Sequence, residues 1–184
     1  MSEDAELLKN YARRGDPQAL SALVVRHSRW MAALLRGMLP DSEVEDALQD
    51  AWLKVIRSAG KFRGEGVKAY FGIIARSVAI DRLRRSGRMV SLDAEGALAE
   101  SAASELVDES PLPNESFESS ATKEEGLKAV RALPEGPRQV LLLRIEAELT
   151  FREIAEELAV PLGTALTWMR TATLRLKEEL GNLK

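Results

Sequence analysis

The feature that most constrains the fold is a stretch near the middle of the chain in which no hydrophobic period is sustained. Residues 91–122 are rich in Ser, Ala, Glu and Pro, and no Lys or Arg occurs from Asp93 to Thr122. A segment of this composition cannot bury enough apolar surface to offset the entropy that it loses on ordering. The sequence therefore predicts a flexible acidic linker over residues 91–122, which joins two separate folded domains, residues 1–90 and 123–184.

The first domain is predicted to be helical because its apolar residues recur at helical spacing. Asp16 suits an N-cap, and Pro17 suits the first position of a helix, where its missing N–H costs nothing. Ser42-Glu43-Val44-Glu45 fits a capping box at the start of a third helix, and a Gly-bearing loop over residues 60–66 precedes a fourth. The predicted helices cover residues 6–14, 17–39, 42–58 and 67–85.

The second domain carries the pattern of a helix-turn-helix unit. A helix is predicted over residues 137–146, and Thr150-Phe151-Arg152-Glu153 fits a capping box that opens another over residues 151–158. A corner at residues 159–163 follows, and the inward stripe of the last helix is formed by Ala165, Met169, Ala172 and Leu176. Since no strand is indicated, the predicted fold class is all-α, with two small helical domains.

Composition excludes several classes of function. The chain has 45% hydrophobic and 30% charged residues, no Cys and a single His, His27, which indicates a helix-rich globular protein without disulfides. It has no apolar run of membrane-spanning length and no leader pattern, so we expect a cytoplasmic protein with no membrane insertion. Because His27 has no partner at ligand spacing and neither a phosphate-binding loop nor a nucleophile elbow is present, we expect no metal, no cofactor and no enzymatic activity.

The net charge of −3 hides a strong asymmetry along the chain. Between residues 57 and 88, Glu65 and Asp81 are opposed by Arg57, Lys61, Arg63, Lys68, Arg76, Arg82, Arg84, Arg85 and Arg88. Such a run is either a solvated helix face or a nucleic-acid surface. Its aromatic neighbours and Gly-rich loop suit single-stranded nucleic acid, because cations follow the backbone while the loop holds an unstacked base. One of Tyr70 and Phe71 is expected to belong to the core instead.

An acidic, amide-bearing face is predicted on the third helix. Asp46, Gln49 and Asp50 fall at spacings of three and four around one side of this helix, whereas Val44, Leu48 and Trp52 take the other. Such a face is either solvated surface or a protein-docking patch, and the residues alone leave both interpretations open.

The last helix is the candidate DNA-reading element, because the second helix of such a unit lies in the major groove. Its outward positions are Thr164, Leu166, Thr167, Arg170, Thr171, Thr173 and Lys177. Basic side chains there can neutralise phosphate, and Thr hydroxyls can contact phosphate or base. A helical hairpin used for packing alone is the alternative.

Taken in order, these motifs resemble the sigma-70 family of bacterial transcription initiation factors, in particular its extracytoplasmic-function (ECF) group. The resemblance covers residues 5–88 and 123–182. It is carried by Glu45-Asp46-Ala47-Leu48-Gln49-Asp50-Ala51-Trp52, by Tyr70-Phe71 with Ala75-Arg76, by Asp81-Arg82-Leu83-Arg84-Arg85, by Leu133-Pro134, by Thr150 to Ala155 and by Gly163-Thr164.

The resemblance implies a factor that binds core RNA polymerase, directs it to a promoter and helps to open the duplex. In that case the clamp helices of the largest polymerase subunit would be contacted by Glu45, Asp46, Gln49 and Asp50. The minus-ten strand would be held by Lys61, Phe62, Arg63, Lys68, Arg76, Ser77, Arg84 and Arg85, with residues 62–66 around a flipped base. The minus-thirty-five element would be read by Thr164, Leu166, Thr167, Trp168, Arg170, Thr171 and Lys177. An anti-sigma factor is a further expected partner.

The chain departs from the family pattern in its last helix. Family members usually carry a Lys-Ser-Arg run where this chain has Leu166-Thr167-Trp168, and Asn where it has Ser77. Because the Lys and Arg of that run are missing, we expect the last helix to recognise DNA through Thr contacts, DNA shape and contact with thymine methyl groups. Trp168 would face DNA, pack against the first helix of the helix-turn-helix, or form a regulator-binding patch with Leu166. Two other functions stay open: a stand-alone helix-turn-helix regulator, and a sigma-factor mimic that titrates a regulator.

Overall fold

The computed structural model describes residues 2–64, 66–88 and 120–181, and within these ranges the chain is helical. The described residues contain no strand, and a short 3-10 turn, Ala59–Lys61, follows α3. The helices are α1 (Glu3–Arg14), α2 (Pro17–Met38), α3 (Asp41–Ser58), α4 (Val67–Arg85), α5 (Ser120–Ala132), α6 (Glu135–Ile145), α7 (Phe151–Leu158) and α8 (Leu162–Gly181). The predicted all-α class is confirmed. The predicted linker lies outside the described residues, except for its last three positions, which open α5.

The described residues form two compact units. The first unit contains residues 2–64 and 66–88 together with Leu142–Leu149, and the second contains residues 120–141 and 150–181. Helices α1 to α4 therefore build the first unit, whereas α5, α7 and α8 belong to the second.

Helix starts in the first unit depend on short-range caps, and one predicted cap is wrong. Asp16 accepts a hydrogen bond from the Gln18 N–H at 2.9 Å, with Pro17 as the first helical residue, as predicted. Helix α3 instead begins at Asp41, directly after Pro40, and no side chain caps it. Because Pro40 already holds the extended conformation that precedes a helix, Ser42 lies inside α3 and cannot act as its cap. Helix α1 begins earlier than predicted, since Ser2 caps it.

The core of the first unit is organised around Phe71, which is fully buried. Its ring centroid lies 5.1 Å from that of His27, 5.3 Å from that of Trp52 and 6.0 Å from that of Tyr70. The first two contacts are edge-to-face, the arrangement that aromatic quadrupoles favour. Phe71 therefore joins α2, α3 and α4, and it is the core member of the Tyr70-Phe71 pair, as expected.

His27 is buried beside this cluster and links α1 to α2. Trp30 Nε1 donates to His27 Nδ1 at 3.0 Å, and His27 Nε2 lies 3.0 Å from Asp4 Oδ2. An indole N–H can only donate, so Nδ1 must accept and the neutral ring must carry its proton on Nε2, where it donates to Asp4. Protonation of Nδ1 would therefore remove the hydrogen bond from Trp30.

In the second unit, α8 packs against α5 and α7. Leu133, Leu141 and Ala172 form a small buried cluster, with Val130, Met169 and Leu176 packed against it. The predicted capping box at the start of α7 is confirmed: Glu153 N–H donates to Thr150 Oγ1 at 3.3 Å, and Thr150 N–H donates to Glu153 Oε2 at 2.7 Å. Two reciprocal hydrogen bonds thus fix the entry into the helix-turn-helix.

We expect acid to destabilise the protein through His27. Burial lowers the pKa of His27, with Lys68 and Arg26 acting in the same direction and Asp4 opposing them. The fold therefore favours the neutral ring, so its contribution to stability is present above the ordinary pKa of about 6.5 and is lost as the pH falls below it. The melting temperature should fall between pH 7 and pH 5 more steeply in the wild type than in His27→Gln.

Glu146 has the opposite effect on stability as the pH falls, so the prediction for His27 requires a comparison of two proteins. Burial raises the pKa of Glu146, with Lys68 opposing, so protonation of this carboxyl stabilises the fold as the pH falls. Both proteins carry Glu146, and the difference between their two profiles isolates His27. Parallel profiles would contradict the prediction.

Candidate functional site

The exposed face of α3 carries the four predicted polymerase-binding residues. Glu45, Asp46, Gln49 and Asp50 are all exposed, because Val44, Ala47, Ala51 and Val55 take the buried side of the helix. Asp50 differs from the other three, since its carboxylate forms an ion pair with Arg82 of α4. Asp46 and Gln49 are therefore better placed than Asp50 to meet a partner.

One exposed apolar residue on this face escaped the sequence analysis. Leu53 follows Gln49 by one helical turn and is 47% exposed. Asp46, Gln49 and Leu53 lie on one side of α3 because they are spaced by three and four residues. We call these three residues the docking face. The helical period already places Leu53 on this side of α3, but the sequence analysis named no role for it.

The loop after α3 packs the ring of Phe62 against the rest of the first unit. Phe62 is only 7% exposed, and its ring packs against Tyr70 at a centroid distance of 5.2 Å. Tyr70 is fixed in turn, since its hydroxyl lies 2.9 Å from the Ser58 carbonyl oxygen, to which it donates. Little of the Phe62 ring is therefore accessible in this conformation, and its contact with a base stays a prediction.

The cations of the loop remain at the surface. Lys61 and Arg63 are exposed, and Arg63 Nη1 donates to the Gly60 carbonyl oxygen at 2.6 Å and to that of Phe62 at 3.1 Å. One end of the guanidinium thus braces the loop. The loop therefore presents positive charge and backbone next to the packed rings of Phe62 and Tyr70.

The predicted strand-binding residues of α4 divide into exposed and engaged groups. Arg84 and Arg85 are exposed near the end of the helix, and Arg76 is partly exposed. Ser77 is engaged, since it donates to the Ile74 carbonyl oxygen at 2.9 Å and accepts from Lys54 Nζ at 2.7 Å. Lys68 is also engaged: Nζ lies 2.6 Å from Glu148 Oε1 and 5.5 Å from the Trp30 ring centroid. Arg84 and Arg85 are therefore the most accessible cations of the set.

Trp168 does not face outward from α8. It is 5% exposed, and a Cβ at Gly136 would lie 2.8 Å from its Cε2 atom. The indole therefore packs on the bare backbone of α6 at Gly136. Little of the indole is therefore accessible at the surface of α8, and its contact with DNA stays a prediction.

The other predicted residues of α8 lie at or near its surface. Arg170 and Lys177 are exposed, and Thr164, Leu166, Thr167 and Thr171 are partly exposed. Leu174, which is 52% exposed and follows Arg170 by one turn, was not predicted. The helix thus offers three exposed cations, Arg170, Arg175 and Lys177, among hydroxyl and aliphatic side chains, a mixed surface suited to the major groove.

Other kinds of site have no support within residues 2–64, 66–88 and 120–181. These residues contain no group of three or more His, Cys, Asp or Glu side chains that could hold a metal ion. None of the helices in the same ranges has the length and apolar character needed to cross a membrane.

Comparison with family models assigns both helical parts. Residues 23–89 match sigma-70 region 2, and residues 124–176 match sigma-70 region 4. The first match contains α3, the loop and α4, and the second contains the helix-turn-helix. This order and content define a sigma-70-type transcription initiation factor.

Individual relatives narrow the assignment. The chain is 28% identical over 180 residues to the ECF RNA polymerase sigma-E factor of Escherichia coli K12, covering 96% of this chain and 92% of the relative. The corresponding factor of Haemophilus influenzae is also 28% identical, over 96% of this chain and 93% of the relative. The solved structure of CnrH in complex with the cytosolic domain of CnrY has the same fold, with a TM-score of 0.65 and 20% identity over 98% of this chain and 99% of that one. The chain belongs to the sigma-70 family, in its ECF group.

A truncation of Trp168 tests its structural role. Because the indole is buried against Gly136, Trp168→Ala should destabilise the second unit by about 3–5 kcal/mol, measured by urea denaturation. Thr167→Ala, on the partly exposed face of the same helix, is the control and should cost far less. A Trp168→Ala protein of wild-type stability would contradict the assignment of Trp168 to the core.

Proposed function

We propose that this ECF sigma factor binds core RNA polymerase through the docking face and holds the minus-ten strand with the cations of the loop and α4. In the same proposal α8 reads the minus-thirty-five element in the major groove, and a cognate anti-sigma protein restrains the factor. The protein itself carries out no covalent chemistry, since strand capture and positioning are its whole contribution. It would act in the cytoplasm, where polymerase and promoter DNA are found.

The observation that carries the proposal is the joining of an acidic helix face and a basic helix in one compact unit. Asp50 of α3 pairs with Arg82 of α4, and Glu43 of α3 pairs with Arg88, which lies three residues beyond the end of α4. Lys54 of α3 also contacts Ser77 of α4. A surface suited to a protein partner and a surface suited to a DNA strand therefore belong to the same body. Docking on one would position the other.

The composition of the docking face supports a protein partner. Interface energy usually concentrates in a few residues that are shielded from water by a polar surround. Leu53 provides the apolar centre, and Asp46 and Gln49 provide charge and amide groups next to it. In the proposed complex, Leu53 fills a recess on the clamp helices, and Asp46 fixes the register through a basic residue of the polymerase.

The location of Arg84 and Arg85 supports their contact with the DNA backbone. They lie in the last turn of α4, where no acidic residue accompanies them, and both are exposed. Arg82 and Arg88 are held by acidic residues of α3, so they shape the unit without offering a free charge. The proposal thus assigns phosphate contacts to Arg84 and Arg85, with Lys61 and Arg63 extending the path.

Transcription by purified components tests the docking face. Run-off transcription with core RNA polymerase on genomic fragments should give discrete transcripts with the wild type, and Asp46→Arg should abolish them. Leu53→Asp should weaken core binding by about 30-fold or more, the effect of losing an interface hot spot. Core binding is measured by fluorescence anisotropy of the labelled factor.

Val25→Asp is the matched control for Leu53→Asp, because Val25 is a 78% exposed apolar residue on α2 outside the docking face. It should bind core as the wild type does. Equal loss in both variants would indicate a general charge effect and contradict the assignment. Sequence-specific duplex binding without any affinity for core would favour a stand-alone regulator instead.

Salt dependence tests the strand contacts. The holoenzyme bound to a single-stranded minus-ten oligonucleotide should lose affinity as salt rises, and the slope of log affinity against log salt falls by about 0.7 for each phosphate contact removed. Arg84→Ala with Arg85→Ala should therefore reduce the slope by about 1.4. Arg13→Ala with Arg14→Ala removes the same charge from exposed positions on α1 and should leave the slope unchanged. An unchanged slope in the α4 variant would refute the assignment.

A further inference from the structure

Three Thr hydroxyls on α8 are already committed to the backbone of their own helix. Thr167 Oγ1 donates to the Gly163 carbonyl oxygen at 2.9 Å, and Thr171 Oγ1 donates to that of Thr167 at 3.0 Å. Thr173 Oγ1 donates in the same way to the Met169 carbonyl oxygen, at 2.9 Å. Each bond spans one helical turn, the pattern by which Thr side chains return to the preceding turn.

This pattern limits what the hydroxyls can do next. A hydroxyl has one hydrogen and two acceptor lone pairs, so a Thr that donates to its own helix can still accept but can no longer donate. The same bond selects one of the two χ1 rotamers that Thr adopts in helices, which also fixes the direction of the methyl group. The side chain therefore presents an acceptor and a methyl in a defined arrangement.

Position along α8 separates Thr167 and Thr171 from Thr173. Thr167 lies in the first half of the helix, on the side that carries the exposed residues Arg170 and Leu174, and Thr171 follows it by one turn. Thr173 lies between this side and the side occupied by the buried Ala165 and Ala172. A helix in the major groove presents its first turns to the base edges, so Thr167 and Thr171 are the two that would meet bases.

The bases differ in what they offer to an acceptor. In the major groove adenine presents its N6 amino group and cytosine its N4 amino group, whereas guanine presents only the acceptors N7 and O6. Thymine presents an acceptor and a methyl group. A hydroxyl that can only accept can take a hydrogen bond from an amino group. It cannot donate to N7 or O6 of guanine, so these acceptors would be left without a donor.

We propose that Thr167 and Thr171 act as acceptor-only readers, which select adenine or cytosine amino groups opposite α8 and reject guanine at those positions. This inference rests on the proposed function, since it names the chemistry by which α8 reads its element. Arg170 lies between the two Thr residues in sequence and supplies a hydrogen-bond donor next to them. The specificity of α8 then comes from two acceptors and one cation, which compensates for the cations that the family pattern has and this chain lacks.

The experiment begins by selecting duplexes from a random pool with the full-length protein, with and without core polymerase. Adenines in the selected element are then replaced one at a time by purine, which lacks the N6 amino group, or by 7-deazaadenine, which lacks the N7 acceptor. Cytosines are replaced by 2-pyrimidinone, which lacks the N4 amino group. Each duplex is titrated with the wild type, Thr167→Val, Thr171→Val and Thr173→Val.

Loss of one amino group should weaken wild-type binding by about tenfold at the position opposite Thr167. The same replacement should have less than a twofold effect on Thr167→Val, which keeps the shape and lacks the hydroxyl. Thr173→Val removes an equivalent intrahelical bond and should respond to purine as the wild type does. Thr171→Val should show the same coupling at a second position.

Three results would overturn the proposal. Coupling of Thr167 or Thr171 to 7-deazaadenine would show that the hydroxyl donates. Selection of guanine opposite these residues would also show that the hydroxyl donates. If no base replacement has a different effect on the Val variants and on the wild type, these residues do not read sequence. Failure of the proposed function would be seen separately. If duplexes are selected without core polymerase and no transcripts form in its presence, the initiation role is refuted, but the base-analogue test can still be carried out on the selected duplexes. Enrichment of no duplex under either condition would overturn both.

Discussion

The burial of Phe71 is the contact on which the first unit depends, because it brings three helices to one point. Its ring meets His27 from α2, Trp52 from α3 and its own neighbour Tyr70 from α4. Trp52 is oriented by a hydrogen bond from its indole N–H to Ser28 Oγ at 3.0 Å, and His27 by Trp30 and Asp4. The ring N–H groups of Trp52 and His27 are thus hydrogen-bonded as well as packed. This core fixes the relative positions of the side chains at the surface of α3 and α4.

Electrostatics within the same unit divides the charged residues into two roles. Acidic residues that face α4 are paired with Arg82 and Arg88, whereas Asp46 faces outward with Gln49 and Leu53. Ion pairs near the surface contribute little to stability on their own. Their value here is positional, because they hold a helix rich in positive charge against a helix rich in negative charge and leave separate charges of each sign at the surface.

The sequence predicted those features that depend on local spacing. Helical periods located α2, α4 and α7, and the capping box at Thr150 was found because its four residues are consecutive. The predicted cap at Ser42 was wrong for a related reason. Its four residues fit a capping box, but Pro40, two positions earlier, starts the helix at Asp41. Phe62 and Trp168 could not be placed from sequence. Their burial depends on Tyr70 and Gly136, partners that only the folded chain brings into contact.

The three Trp residues are divided between the units, with Trp30 and Trp52 in the first and Trp168 in the second. Trp168 is buried against the backbone at Gly136, while Trp30 donates to an imidazole and lies beside an ammonium group. Their emission should differ in wavelength and in sensitivity to quenchers. The chain thus contains its own optical reporters, and a protein that keeps only Trp168, or lacks only Trp168, would let changes in one unit be followed separately from changes in the other.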